Sequence, residues 1–77
     1  MYKTGLFTLD CIDGNCVLKY GKRVIAKNCE EVVNLFLELS ITTPQIIEDL
    51  DILESEENNL EELLRLAVLD KNMCITK

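Results

Sequence analysis

The chain has 77 residues, so it makes one domain, 1–77, with room for only a small core. Fourteen acidic residues stand against eight basic ones, a net charge of −6, and apolar residues make up 48%. That balance excludes a disordered tail and argues against a phosphate-backbone partner, because nucleic-acid affinity rests on clustered Lys and Arg. No apolar run approaches the ~20 residues that span a bilayer, and the start lacks a hydrophobic signal core. A cytoplasmic chain that binds neither nucleic acid nor membrane is expected.

Up to Asn28 apolar residues alternate by two, which marks strands with one buried face. Asp13-Gly14 is a type I′ hairpin signal, since both central residues of that turn need positive φ. With those two as the loop, Cys11 opposes Cys16, Leu9 opposes Leu18 and Phe7 opposes Tyr20, all on one face. Thr8, Asp10, Val17 and Lys19 fall on the other. Gly21-Lys22 predicts a second turn into a third strand, Arg23 to Lys27. A two-residue loop there turns Ile25 inward; a three-residue loop turns Val24 and Ala26 inward.

Asn28 predicts a helix cap, with Glu31 three residues on as in a capping box. From there apolar residues recur at three and four. The first helix runs over about 29–40, with Val32, Leu35, Phe36 and Leu39 at the centre of its apolar arc and Val33 and Leu37 on the flank. Thr43-Pro44 starts a second helix over about 43–54, Thr43 as cap and Pro44 in the first turn. Its stripe is Ile46, Ile47, Leu50 and Leu53. Asn58 or Asn59 caps a third helix over about 59–70, ended by Lys71-Asn72 with Asn72 left-handed. Leu60, Leu63, Leu64, Ala67 and Val68 form its core face, and Leu66 and Leu69 fall outside it. Met73 to Thr76 is a short apolar tail. The expected fold is therefore α+β: a three-stranded antiparallel sheet over about 5–28, followed by a three-helix bundle in a winged-helix-like arrangement.

Little in the chain suggests chemistry. There are four cysteines, Cys11, Cys16, Cys29 and Cys74, and no His. Facing each other across the hairpin, Cys11 and Cys16 could form a disulfide or half a metal site. The plainer expectation is two small buried residues packed side by side, with Cys29 and Cys74 as partly buried thiols. The carboxylates Glu48, Asp49, Asp51, Glu54, Glu56, Glu57, Glu61 and Glu62 read as solvated helix faces. No phosphate loop or nucleophile elbow is present. No enzyme activity, metal or cofactor is expected. The surplus apolar residues on the third helix, next to a sheet with unpaired edges, suggest a place for an added peptide strand.

In layout the chain resembles the PqqD-like domain, or RiPP recognition element. The stretches that carry the resemblance are Val24-Ile25-Ala26-Lys27-Asn28, Val32 to Leu39, Thr43 to Leu50 with its "T..EI...L" look, and Leu60 to Ile75. They span about residues 6–76. The departures are Lys27, where the family often has an apolar residue, and Lys71-Asn72 in place of the family's Gly. The resemblance implies a non-catalytic module that holds the leader segment of a ribosomally made precursor peptide as an added strand and presents the core segment to a separate modifying enzyme. It implies a site with Val24, Ile25 and Ala26 pairing through their backbones and Leu63, Leu66 and Leu69 forming apolar pockets. The acidic surface suggests a leader with Lys or Arg beside its anchors. The rival expectations are a small acidic inhibitor of a nucleic-acid-binding enzyme, of phage or mobile-element type, and a protein–protein adaptor. A free edge also permits a homodimer.

Overall fold

In a computed structural model of the chain, which describes residues 1–71, 73 and 74, Asp13 and Gly14 take φ of 53° and 78°. These are the two positive angles that a type I′ turn requires. The turn joins β2 (Phe7–Ile12) to β3 (Asn15–Tyr20). The register is the expected one, with Phe7 opposite Tyr20, Leu9 opposite Leu18 and Cys11 opposite Cys16. Phe7, Leu9, Cys16 and Leu18 are fully buried. The Phe7 and Tyr20 rings lie 4.7 Å apart, a tilted aromatic pair.

Among the described residues the sheet has four strands, not three. β1 (Tyr2–Thr4) pairs with β2, and the order is β1-β2-β3-β4. Three residues are too few to show an alternation, so the strand is not visible as a period. Its turn is set by Gly5 at φ 60°. A Cβ on Gly5 would run into the side chains of Glu56 and Asn59, so the position needs glycine for both backbone and space.

β4 (Arg23–Ala26) follows a two-residue loop, since Tyr20 opposes Arg23 and Lys19 opposes Val24. The register then shifts, and Leu18 opposes Ala26. Ile25 is the extra residue of a β-bulge. The bulge departs from both expectations for this strand: Ala26 is buried, Ile25 half-buried and Val24 exposed.

The expected helices over 29–40 and 43–54 run as one element, α1 (Cys29–Asp49), in which two helical stretches meet at a non-helical residue, Thr42 (φ −134°, ψ 58°), between the two expected spans. Pro44 is the cause, because it has no N–H to give and crowds the preceding turn. Thr43 does not cap. Its hydroxyl donates backward to Leu39 O, while Ser40 and Thr42 donate to Phe36 O and Glu38 O. α1 stops earlier than expected, in a Schellman motif. The Asp51 N–H donates to Glu48 O and the Ile52 N–H to Ile47 O, with Asp51 left-handed at φ 58°. That motif buries Ile52 and leaves Leu53 exposed.

A 3₁₀ turn (Glu54–Glu56) leads into α2 (Glu57–Arg65), and a wider π-type turn (Leu66–Asp70) continues it. Asn58 and Asn59 lie inside α2 and do not cap it; instead the Asn59 amide donates to Glu56 Oε1. Leu60, Leu63, Leu64, Ala67 and Val68 are buried, Leu66 is half-buried and Leu69 is exposed. The expected left-handed Asn72 and the Ile75–Thr76 part of the tail lie outside the described residues. α1 lies over β3 and β4, and α2 over β1 and β2, so the core is one layer between sheet and helices. Among the described residues no helix is long and apolar enough to cross a membrane.

Two outcomes follow for stability. Asp51→Gly removes a left-handed non-glycine residue and is expected to stabilise the fold by up to about 1 kcal/mol, read as a higher denaturation midpoint with unchanged slope. The second concerns Glu56, whose carboxylate accepts from the Leu6 N–H (2.9 Å) and from Asn59 (3.1 Å). These bonds hold its pKa below the ordinary 4.5, the backbone bond contributing most. A depressed folded-state pKa gives stability that is present above the unfolded value and lost as pH falls through the folded value. Glu56→Gln should therefore flatten the acid side of the stability curve below about pH 4.5 and leave the slope above it unchanged.

Candidate functional site

The outer edge of β4 has the backbone geometry to receive a strand. A two-residue loop makes Tyr20 and Arg23 the hydrogen-bonded pair, so the next pair, Lys19 and Val24, is the non-bonded kind. The Val24 N–H and C=O therefore point away from β3. Ile25 offers apolar surface on the core side of that edge and Val24 on the other.

The edge is held at both ends. At its start, the Arg23 guanidinium donates to Leu50 O and lies 5.7 Å from the centre of the Tyr20 ring. The Tyr20 hydroxyl in turn accepts from the Leu53 N–H at 3.2 Å. At its end, Asn28 Oδ1 accepts from the Glu31 N–H at 2.9 Å, and Glu31 Oε1 accepts from the Lys27 N–H at 2.9 Å. The capping box is thus moved one residue outward, onto the residue before the cap.

The residues implied by the family resemblance fall in two places. Val24, Ile25 and Ala26 lie on β4, under α1. Leu63, Leu66 and Leu69 lie on α2 and its π-type continuation, over β1 and β2. Leu63 is consumed by the core, Leu66 is half-buried and Leu69 is exposed. The structure does not bring the two sets together as strand and wall; the helix beside β4 is α1. The reason is topological, since β1 adds to the far edge of the sheet and α2 covers that half.

The charge at β4 also differs from that of the whole molecule. Lys19, Lys22, Arg23 and Lys27, four of the eight basic residues, fall within this one stretch. Glu31 is next to it, with its carboxylate committed to the Lys27 amide.

The cysteines are arranged otherwise than expected. Cys11 is bonded to Cys16, and Cys29 to Cys74. Cys29 opens α1 and Cys74 follows the π-type turn. The Met73 and Cys74 N–H groups donate back to Ala67 O, which folds the chain end toward Cys29. Cys11–Cys16 and Cys29–Cys74 meet at the tip of the β2–β3 hairpin, where the Cys29 N–H donates to Asn15 Oδ1 at 3.2 Å. The sequence separation of 45 between Cys29 and Cys74 hides this from any local pattern.

A separate open hollow of about 460 Å³ is lined by Pro44, Gln45, Ile47, Ile52 and the carboxylates Glu48, Glu54 and Glu57. No protein-family model, curated protein or solved structure matches this chain.

Arg23 is the residue that ties β4 to the end of α1. Arg23→Ala is expected to destabilise the fold by about 1 kcal/mol, through one lost hydrogen bond and one cation–π contact. The local sign is faster amide exchange at Leu53 and Tyr20, with the exchange of Leu60 and Leu64 following only the global change.

Proposed function

We propose that the chain is a non-catalytic binding module that takes an extended segment of a partner peptide as a fifth strand on the outer edge of β4. The observation that carries the reading is the outward-facing backbone of Val24 on an edge strand fastened at both ends. A strand already held in place loses little further freedom on binding, which leaves more of the pairing energy for affinity. The partner implied by the PqqD-like layout is the leader segment of a ribosomally made precursor, held for a separate modifying enzyme.

Two features of this proposal depart from the expectations drawn from the sequence, one from the family layout and one from the acidic net charge. The wall beside the added strand is α1 rather than the third helix. The segment that suits the edge carries Asp or Glu beside its apolar anchors, because Lys19, Lys22 and Lys27 surround the strand. Those lysines and the bulge at Ile25 also discourage unselective pairing between sheet edges, a common use of both devices.

The test is a titration of isotope-labelled protein with a candidate leader peptide. Backbone shifts are expected at 23–27 and along the first turns of α1, and affinity should fall as salt rises. Val24→Pro removes the outward N–H without touching a bond to β3. It should weaken binding about tenfold, the equivalent of one backbone hydrogen bond, while the protein stays folded. Shifts centred on α2, or full affinity in Val24→Pro, would overturn the proposal.

A further inference from the structure

The hairpin-tip cysteines have a second possible state. The Sγ atoms of Cys16, Cys29 and Cys74 all lie within 4.8 Å of one another, and Cys11 is bonded to Cys16. Four cysteine sulfurs from three separate parts of the chain therefore share one site. Tetrahedral zinc with Zn–S of about 2.3 Å needs sulfurs about 3.8 Å apart, so once reduced the bonded Cys29 and Cys74 sulfurs part to that spacing while Cys16 closes on them by up to about 1 Å. The surroundings suit thiolates. Cys29 is the first residue of α1, where the helix dipole favours negative charge.

We propose that the reduced chain binds one Zn²⁺ through Cys11, Cys16, Cys29 and Cys74, so that this end of the molecule is closed either by two disulfides or by a tetrathiolate metal centre. The two states are linked by reduction. Two dithiol reductant molecules convert the two disulfides to four thiols and leave as two oxidised reductants. The four thiols then release four protons as one Zn²⁺ binds. Since a domain of this size has a small core, either closure adds to the stability of the whole chain. This inference does not depend on the reading of β4.

The experiment reduces the full chain with a phosphine, removes the reductant without air, and titrates Co²⁺ followed by Zn²⁺. The expected result is one Co²⁺ per chain, with the sulfur-to-cobalt charge-transfer band and visible bands of a tetrahedral thiolate site, bleached by one equivalent of Zn²⁺. Cys74→Ser and Cys11→Ser should each change the spectrum and weaken Zn²⁺ binding by at least about tenfold, the order seen when a metal site loses support. Zn²⁺ should also raise the melting temperature of the reduced wild type. No thiolate band, a spectrum unchanged in either variant, or one ion per two chains would overturn the proposal. A variant that fails to fold is read against the Zn²⁺-dependent melting of the wild type, whose absence alone is enough to reject the site.

Discussion

The register of the β2–β3 hairpin constrains everything else in this molecule. A side-chain period of two leaves no partial error, because a slip of one residue would send every apolar side chain to solvent. Asp13 and Gly14, both left-handed, prevent that slip. They fix Phe7, Leu9, Cys16 and Leu18 as one buried face, and that face is what both helices pack on. They also fix where the ends of the sheet lie. The 13–14 turn, the end of β4 and the start of α1 share one end. The turns at 5–6 and 21–22 share the other, where the Gly21 N–H donates to Leu6 O at 2.9 Å.

Each end is then closed by different chemistry. At the far end, polar bonds tie strands to helices: Leu6 to Glu56, Arg23 to Leu50 and Leu53 to Tyr20. At the hairpin-tip end, sulfur does it, joining the hairpin to itself and the first residue of α1 to the chain's last described residue. The division follows from the core. Its buried side chains are aliphatic except for Phe7 and Cys16, and a layer this thin gives little protection at its margins. Fastening both margins holds the sheet and the helices in one register with each other.

Sequence pattern carried the hairpin, the Asn28 cap and the core face of α2, because each depends on residues close together in the chain. Leu60, Leu63, Leu64, Ala67 and Val68 are buried as the helical wheel requires. What the pattern missed depends on distance or on competition. β1 is too short to show a period. Thr43-Pro44 has the signature of a helix start, and the backbone does leave the helix at Thr42, but the stretch after it ends at Asp49, short of the expected 54, because the Schellman turn at Asp51 stops it. Ile25 was undecidable because a bulge uses both of the residues that a simple register chooses between. The cysteine cluster was half legible: β4 runs back toward the 13–14 turn, so Cys29 had to lie near Cys11 and Cys16. Only the π-type turn, which no residue pattern announced, could show that Cys74 arrives there too. The candidate leucines of the third helix lie over β1 and β2 rather than beside β4, and that placement depends on the unseen β1.

β4 lies between the two closures, and this position connects the two proposals physically. Its first residue is held by Leu50 and Tyr20, and its last leads through Asn28 directly to Cys29. Loosening the hairpin-tip end would free the exit of β4 before it freed the hairpin, because the hairpin has its own turn and ladder while the β4–α1 corner relies on Asn28, Glu31 and the Cys29 attachment. Pre-organisation of an edge strand is what makes strand addition favourable. On the two proposals together, the state of the four sulfurs would bear on the same short piece of backbone that the partner would use, through rigidity rather than contact.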